Sequence, residues 1–555
     1  MTNYPVTSRD RGSYQRAAVA AALALGWTLG LAIYARRLVQ SYFPIADEWA
    51  LLANSDPTLT DPLTWITSGF SQYFEVDPAL SQPYANFLRP FVNLTYWLLG
   101  FVLSPASAGR LYFNFAVIGA CAGLTYLCAA RGSRGRIGVI ELALAATVPL
   151  MPAFLPSFIE VTPYNAFDAM AAAICLLAYL AAEDERHGLT VALLIAALFT
   201  KETAVPVAVA VPALFLFRDR SRVRTRPALV LRFLGLAVPI GLWIVTRRLA
   251  FGNVASGTYT WTEGIAGSLA KMAALAAQWP VPSGPFDRRS LLSILLVTIN
   301  AILVAGCIGV LAARLWQRRR IDLAEICWLF SYGVMLLVGV SPRYGATFDV
   351  FLVLTVVRAR QGQALRPLAA VMVAALVTSA AWGLYYNSKI YPVAERLMID
   401  YYRVSKRYVD ELEKFAPGDT VVVLNDPVTW HAPVKWLTAV AGIPATVVKA
   451  MDFSCPSSPE RLRAPCKVSL RPANGAREFE FSQDCGLDFC GATVHPHRPV
   501  RRTLLDGVFV DLPEEKGNDD SHPVWYAMKL TVDRPNVFLM YFNPETRHFE
   551  QVHVP

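Results

Sequence analysis

The feature that most limits what this chain can fold into is a repeated alternation of long apolar runs with short basic clusters. Apolar runs lie at about 17–34, 87–104, 111–130, 137–152, 169–182, 188–217, 229–250, 291–313, 324–340, 345–357 and 367–386. A bilayer core is crossed by about 20 apolar residues in a helix, and most of these runs approach that length. Only 17% of the 555 residues are charged and 54% are hydrophobic, whereas soluble domains carry about 25% charge. The pattern predicts a polytopic α-helical membrane protein. The net charge of +9 falls in clusters between the runs, which is how membrane orientation is set. It is therefore not read as nucleic-acid binding. The first run lacks a trustworthy cleavage site and is expected to stay as a span.

Orientation follows from the later half. The stretches 218–226, 314–320 and 358–366 are strongly basic, so they are expected on the cytoplasmic side. Alternation then puts 251–289, 341–345 and everything after 387 on the far side. With the N-terminus inside, the number of spans is odd, and about 11 transmembrane helices are expected. The early half resists simple alternation. The cluster Arg131–Arg136 looks cytoplasmic, yet counting every earlier run as a span puts it outside, so one early run is expected to be broken or re-entrant.

From about residue 391 to 555 the composition becomes that of a soluble mixed α/β domain. Thr420–Leu424 reads as a buried strand ending in the turn Asn425-Asp426-Pro427, 431–440 as a helix, and 445–448, 508–510, 528–532 and 537–542 as further strands. Cys455, Cys466, Cys485 and Cys490 all lie here. Four cysteines in a polar domain predict two disulfides and an oxidising compartment. Local pairing, Cys455 with Cys466 and Cys485 with Cys490, is the simplest arrangement. A zinc site is the alternative, although the spacings lack the usual paired motifs. The other five cysteines fall in apolar runs and read as packing residues.

The residues that carry chemistry lie between and beside the runs. Asp47 and Glu48 open a long polar segment, 36–88, soon after the first span. A carboxylate at a bilayer edge is costly unless it faces water, a cation or a substrate, and one of this pair is expected to be a catalytic base. Arg89-Pro90 opens the next run. Glu160, with Asp168 as its competitor, lies before the run ending at 182. Lys201 and Glu202 interrupt the run 188–217, and are either at a surface turn or buried in one long helix. Arg247, Arg248 and Arg343 are cations expected on the outer side, against the positive-inside bias. Guanidinium and ammonium groups bind phosphate. Arg89, Lys201, Glu202, Arg247, Arg248 and Arg343 are therefore expected around a phosphate, and Lys201, Arg247, Arg248 and Arg343 in one outward cavity with Asp47. Arg498, Arg501 and Arg502 read as a solvated face.

In this order, Asp47-Glu48, Arg89-Pro90, Pro156 with Glu160, and Thr200-Lys201-Glu202 resemble the motifs of the GT-C class of membrane glycosyltransferases. That class includes the protein O-mannosyltransferases and the lipid A aminoarabinose transferases, and the resemblance covers about residues 17–390. It implies a transmembrane catalytic domain over 1–390, with its acidic outer loop at 36–88, and a periplasmic domain over 391–555. It also implies a polyprenyl-phosphate sugar donor, a glycan, lipid or protein acceptor of the envelope, and residence in a bacterial inner membrane. Asp47, Glu48 and Glu160 would be the catalytic carboxylates. Magnesium or calcium between Asp47 and Glu160 is compatible with oxygen ligands. A transporter or flippase for a lipid-linked sugar is the alternative; such proteins often pair interrupted helices, and here one interruption, at Lys201, stands without a partner.

Overall fold

The computed structural model describes residues 8–45, 48–56, 58–59, 89–104, 107–131, 138–151, 154, 166–223, 227–251, 291–317, 321–338, 345–426, 428, 434–450, 453–454, 466–473, 477–485, 491–492, 500–512, 524–543 and 545–554. Its helices, in order, are α1 (Ser8–Tyr34), α2 (Arg36–Ser41), α3 (Glu48–Ser55), α4 (Pro90–Gly100), α5 (Gly109–Ala130), α6 (Val139–Ala146), α7 (Ala166–Glu183) and α8 (His187–Leu198). They continue with α9 (Val205–Val223), α10 (Pro227–Phe251), α11 (Leu291–Trp316), α12 (Leu323–Val338), α13 (Ala346–Gln361), α14 (Arg366–Leu412) and α15 (Val434–Ala441). The chain forms two compact units. One comprises Met1–Arg36, Gly109–Ala255 and Tyr259–Pro392, and the other Arg37–Ala108, Ser256–Thr258 and Val393–Pro555.

The first unit is a helical bundle. Five stretches, Gly12–Tyr34, Gly109–Ala130, Val230–Leu249, Val297–Trp316 and Gln363–Lys389, are long and apolar enough to cross a membrane, and shorter apolar helices lie among them. Large aliphatic side chains are exposed on α1 (Leu25, Leu29, Ile33), α10 (Leu231, Leu234, Val245, Leu249), α11 (Ile294, Leu295, Ile308) and α14 (Val371, Val377, Leu384). Apolar surface of this extent would drive association in water, and lipid is the solvent that suits it. This is a membrane protein.

Small residues set the closest helix approach. Gly119 and Gly123 of α5 lie against α1, and a Cβ at Gly123 would sit 2.6 Å from the carbonyl oxygen of Ala20. One at Gly119 would collide with the Ala24 carbonyl oxygen and the Thr28 hydroxyl. Small residues let helix backbones meet where lipid removes the usual hydrophobic drive. The pairing is antiparallel, since Arg16 of α1 donates to the carbonyl of Ala130 at the far end of α5.

The apolar run 188–217 is two helices, not one. The chain turns between α7 and α8 at Glu185, in a left-handed conformation with φ 56°. It then folds back again at Lys201, whose extended backbone (φ −157°, ψ 141°) precedes a single 3-10 turn, Glu202–Ala204. Both α8 and α9 pack along α10, and His187 at the start of α8 meets Phe215 in the second half of α9.

Among the described residues the second unit combines two larger sheets and a two-stranded pair with α2, α3, α4, α15 and the C-terminal part of α14; the boundary with the bundle falls inside α14 at Pro392. The strands are β1 (Thr420–Val423), β2 (Thr446–Lys449), β3 (Phe453–Ser454), β4 (Cys466–Pro472), β5 (Glu478–Cys485) and β6 (Gly491–Ala492). They continue with β7 (Val500–Leu505), β8 (Val508–Leu512), β9 (Val524–Val532), β10 (Val537–Asn543) and β11 (His548–Val554). One larger sheet has the order β11-β10-β1-β2, with β1 parallel to both neighbours, the other larger sheet the order β4-β5-β9-β8-β7, and β3 pairs with β6. The all-buried β1 takes an interior place, as its unbroken Thr-Val-Val-Val predicts. Asn425 locks the end of the first sheet by exchanging hydrogen bonds with the backbone of Phe542.

Two features depart from the sequence reading. The run 87–104 holds α4, of 11 residues, about 16 Å of helix, and α4 groups with the second unit instead of the bundle. The segment Arg37–Ala108 likewise belongs with the C-terminal part instead of the bundle. There α3 packs on α4 and α15, Ser405 donates to the Pro44 carbonyl at 2.5 Å, and Tyr42 meets Tyr402 edge-on.

Candidate functional site

The bundle has two polar ends. At one, α7 begins with Asp168, which is 8% exposed and faces Lys201, 7% exposed, at 3.4 Å. Thr203 donates to the other oxygen of the same carboxylate at 3.1 Å. Beside them Arg247, 2% exposed, pairs with Glu202 at 3.2 Å and lies over the Trp243 ring, 5.1 Å from its centre. The fold back at Lys201 creates this cluster: it turns adjacent Lys201 and Glu202 toward two different helices. One therefore reaches the start of α7 and the other the end of α10.

The other end holds the basic clusters. Arg131 makes a two-pronged ion pair with Asp184. Arg358 reaches Asp322, the Tyr179 hydroxyl and the Cys128 carbonyl. Arg314 pairs with Glu325, and Arg360 with Glu141. Helix α7 carries Asp168 near its start, and Asp184 follows its end. Their separation is about 24 Å at 1.5 Å per residue, close to the thickness of a hydrocarbon core. Between the ends the buried residues of α7 are almost all apolar.

The two ends differ chemically. The basic end is partly open to water: Arg131 and Asp184 are 34% and 42% exposed, while Glu325, Arg358 and Glu141 are buried. At the other end Asp168, Lys201 and Arg247 are buried and Glu202 is half-buried, so two cations are withdrawn from water. Ions buried this way are expensive and mark function more often than stability. Each cation is held beside a carboxylate in a geometry that an entering phosphate could share or displace.

The expected residues fall into three groups. Lys201, Glu202 and Arg247 come together as described. Arg248, next on α10, is exposed. Arg89 and Glu48 belong to the second unit. Arg89 is buried and precedes α4, with Pro90 as the first helical residue. Glu48 is buried at the start of α3, where it accepts the Ile45 N–H at 3.0 Å and the Tyr42 hydroxyl at 3.5 Å. That is the geometry of a carboxylate closing its own loop. Asp47, Glu160 and Arg343 lie outside the described residues, as do Cys455 and Cys490. Of the cations expected in one cavity, Lys201 and Arg247 are the two that come together among the described residues. Cys466 and Cys485 are register partners on β4 and β5, a pairing the local connectivity does not contain.

Some contributors were legible only in part. Asp168, the competitor of Glu160 in the sequence, is the carboxylate that meets Lys201. Trp243 precedes Arg247 by one helical turn, a spacing that carries the contact. Arg110 and Asp349 are buried in the first turns of α5 and α13, helices that pack on each other and on α7; isolated in apolar runs, they gave no pairing signal. In the second unit, Asp400, Arg403, Val404, Arg407, Phe542 and Arg547 line a cavity of about 110 Å³, and none of the expected site residues is among them. Among the described residues no group of three His, Cys, Asp or Glu is placed to hold a metal. No family model and no curated protein matches the chain.

Proposed function

We propose that the chain is an inverting glycosyltransferase that moves a sugar from a polyprenyl-phosphate donor to an acceptor of the cell envelope, in the manner of the GT-C class. The observation that carries this reading is the buried end of the bundle, where Lys201 and Arg247 stand as cations beside Asp168 and Glu202. Lipid phosphate lies at the depth such an end would occupy. Its leaving-group charge is what fixed cations stabilise.

The topology supports the same reading. With α4 removed from the spans, Arg131 and the clusters near 224, 318 and 360 all fall on one side. Eleven crossings follow, made by α1, α5, the segment opened by α6, α7, α8, α9, α10, α11, α12, α13 and the first part of α14. The positive-inside bias makes the basic end cytoplasmic. The paired-charge end, the segment 37–108 and the C-terminal domain then share the outer side, the periplasm of a bacterial inner membrane.

In the mechanism Asp47 takes the proton from the acceptor hydroxyl as its oxygen attacks the anomeric carbon. Lys201 and Arg247 meet the charge on the departing lipid phosphate. A single displacement inverts the anomeric centre, as in inverting hydrolases. A transporter or flippase of lipid-linked sugar is the alternative, and it would move the sugar lipid without releasing its phosphate. The test is release of polyprenyl phosphate from a donor panel by the purified protein.

A further inference from the structure

The cavity of about 110 Å³ in the second unit is lined by Asp400, Arg403, Val404, Arg407, Phe542 and Arg547. The first four lie on the C-terminal part of α14, and spacings of three and four put them on one face of that helix. Phe542 and Arg547 come from the end of β10 and the turn into β11. Strand β10 runs parallel to β1, and open α/β sheets place ligands at the carboxyl ends of their parallel strands.

Three guanidiniums surround the Asp400 carboxylate. It meets Arg403 at 3.5 Å and Arg547 at 3.8 Å, while Arg407 donates to the Arg547 carbonyl at 3.1 Å. The two ion pairs are long, and their arginines are 67% and 42% exposed, so they are weak and an entering anion can replace them. Arg547 also holds a left-handed backbone, φ 56°, where glycine is the ordinary choice. Its N–H closes the turn on the Asn543 carbonyl at 2.7 Å. A bulky cation kept in that conformation needs a reason beyond the turn itself.

We propose that this cavity binds the phosphate group of a monoester. Such a group carries about −1.5 to −2 charges near neutral pH. That matches the two positive charges left when Asp400 is set against the three arginines. Guanidinium forks grip phosphate oxygens bidentately, and Val404 and Phe542 supply an apolar wall. At about 30 Å³ per water, the space takes about four water-sized groups, enough for the oxygens of a phosphate. The bearer is either a lipid headgroup or a soluble molecule. The inference is independent of the glycosyltransferase reading, since it rests on the lining of this cavity alone.

Full-length protein in phosphatidylcholine nanodiscs is titrated with inorganic phosphate by calorimetry, at constant ionic strength so that screening stays fixed. In a second arm the nanodiscs also contain phosphatidic acid, whose headgroup is a phosphate monoester, and the lipids that stay on the protein are counted by native mass spectrometry. Saturable uptake of inorganic phosphate identifies a soluble ligand, and retention of phosphatidic acid without it identifies a lipid. In whichever arm binds, Arg403→Gln and Arg547→Gly should each weaken binding at least about tenfold, since a charged hydrogen bond is lost. Glycine suits φ 56°, so the melting temperature of Arg547→Gly should hold or rise, which separates lost binding from a lost fold. The same variants assign the binding to this cavity and not to the Lys201–Arg247 cluster. No uptake in either arm, or uptake equal in the wild type and both variants, would overturn the proposal.

Discussion

Replacing Lys201 with methionine removes one charge from the buried end and leaves Asp168 without its cation. At 3.4 Å, Coulomb attraction at an effective dielectric of about 20 is worth about 5 kcal/mol. Both partners are nearly dry, so little of that is screened, and breaking such a pair costs about 3–5 kcal/mol. The Arg131–Asp184 pair is the internal control. Its contact is shorter, 2.7 Å, but its partners are 34% and 42% exposed, so Arg131→Met should cost no more than about 1 kcal/mol. Burial, not distance, decides the order. Unfolding of the protein in a lipid nanodisc, followed by heat or denaturant, gives both numbers. The double variant Lys201→Met with Asp168→Leu should recover most of the loss, because it removes the orphaned charge. It should not recover donor binding, which needs the cation. Equal costs for the Lys201 and Arg131 variants, or a double variant as unstable as the single, would refute the reasoning.

Three further outcomes follow. Asp47→Asn should slow sugar transfer by about 10²- to 10⁴-fold while donor binding is kept, whereas Glu48→Gln should lower thermal stability by loosening the loop at Ile45 and Tyr42; comparing turnover with melting curves separates the two. Gly119→Val should destabilise the α1–α5 contact by about 1–3 kcal/mol, while Gly26→Ala, in open space on α1, should be tolerated in the same unfolding assay. In the second unit, burial and the neighbouring Glu550 carboxylate raise the Tyr541 phenol to about 12. Its neutral form therefore adds stability that is complete below pH 10 and lost as pH rises through about 12. A late phenolate absorbance step, absent from Tyr541→Phe, checks it.

Much of the fold was legible because apolar length and basic clusters obey bilayer physics directly. The strands with continuous Val and Ile, Leu or Met character were found within a residue or two at several ends. The strands β4 and β5 were missed, although Glu478-Phe479-Glu480-Phe481 alternates and buries both phenylalanines, because charged residues fill the other face. Apolarity alone gave no sign that the short helix α4 in the run 87–104 groups with the second unit. The cation–carboxylate partners were beyond the sequence, since Lys201 and Asp168 meet only after the chain has turned at Glu185. Thr203 and Trp243 were likewise visible as residues but not as partners.

The most direct test of the central claim is incubation of the purified, lipid-embedded protein with a panel of polyprenyl-phosphate sugars and envelope acceptors, followed by quantifying free polyprenyl phosphate and the anomeric configuration of the product. The account predicts lipid phosphate released in step with inverted product, and loss of both in Asp47→Asn. Retained anomeric configuration, or sugar lipid that changes leaflet without releasing its phosphate, would contradict it.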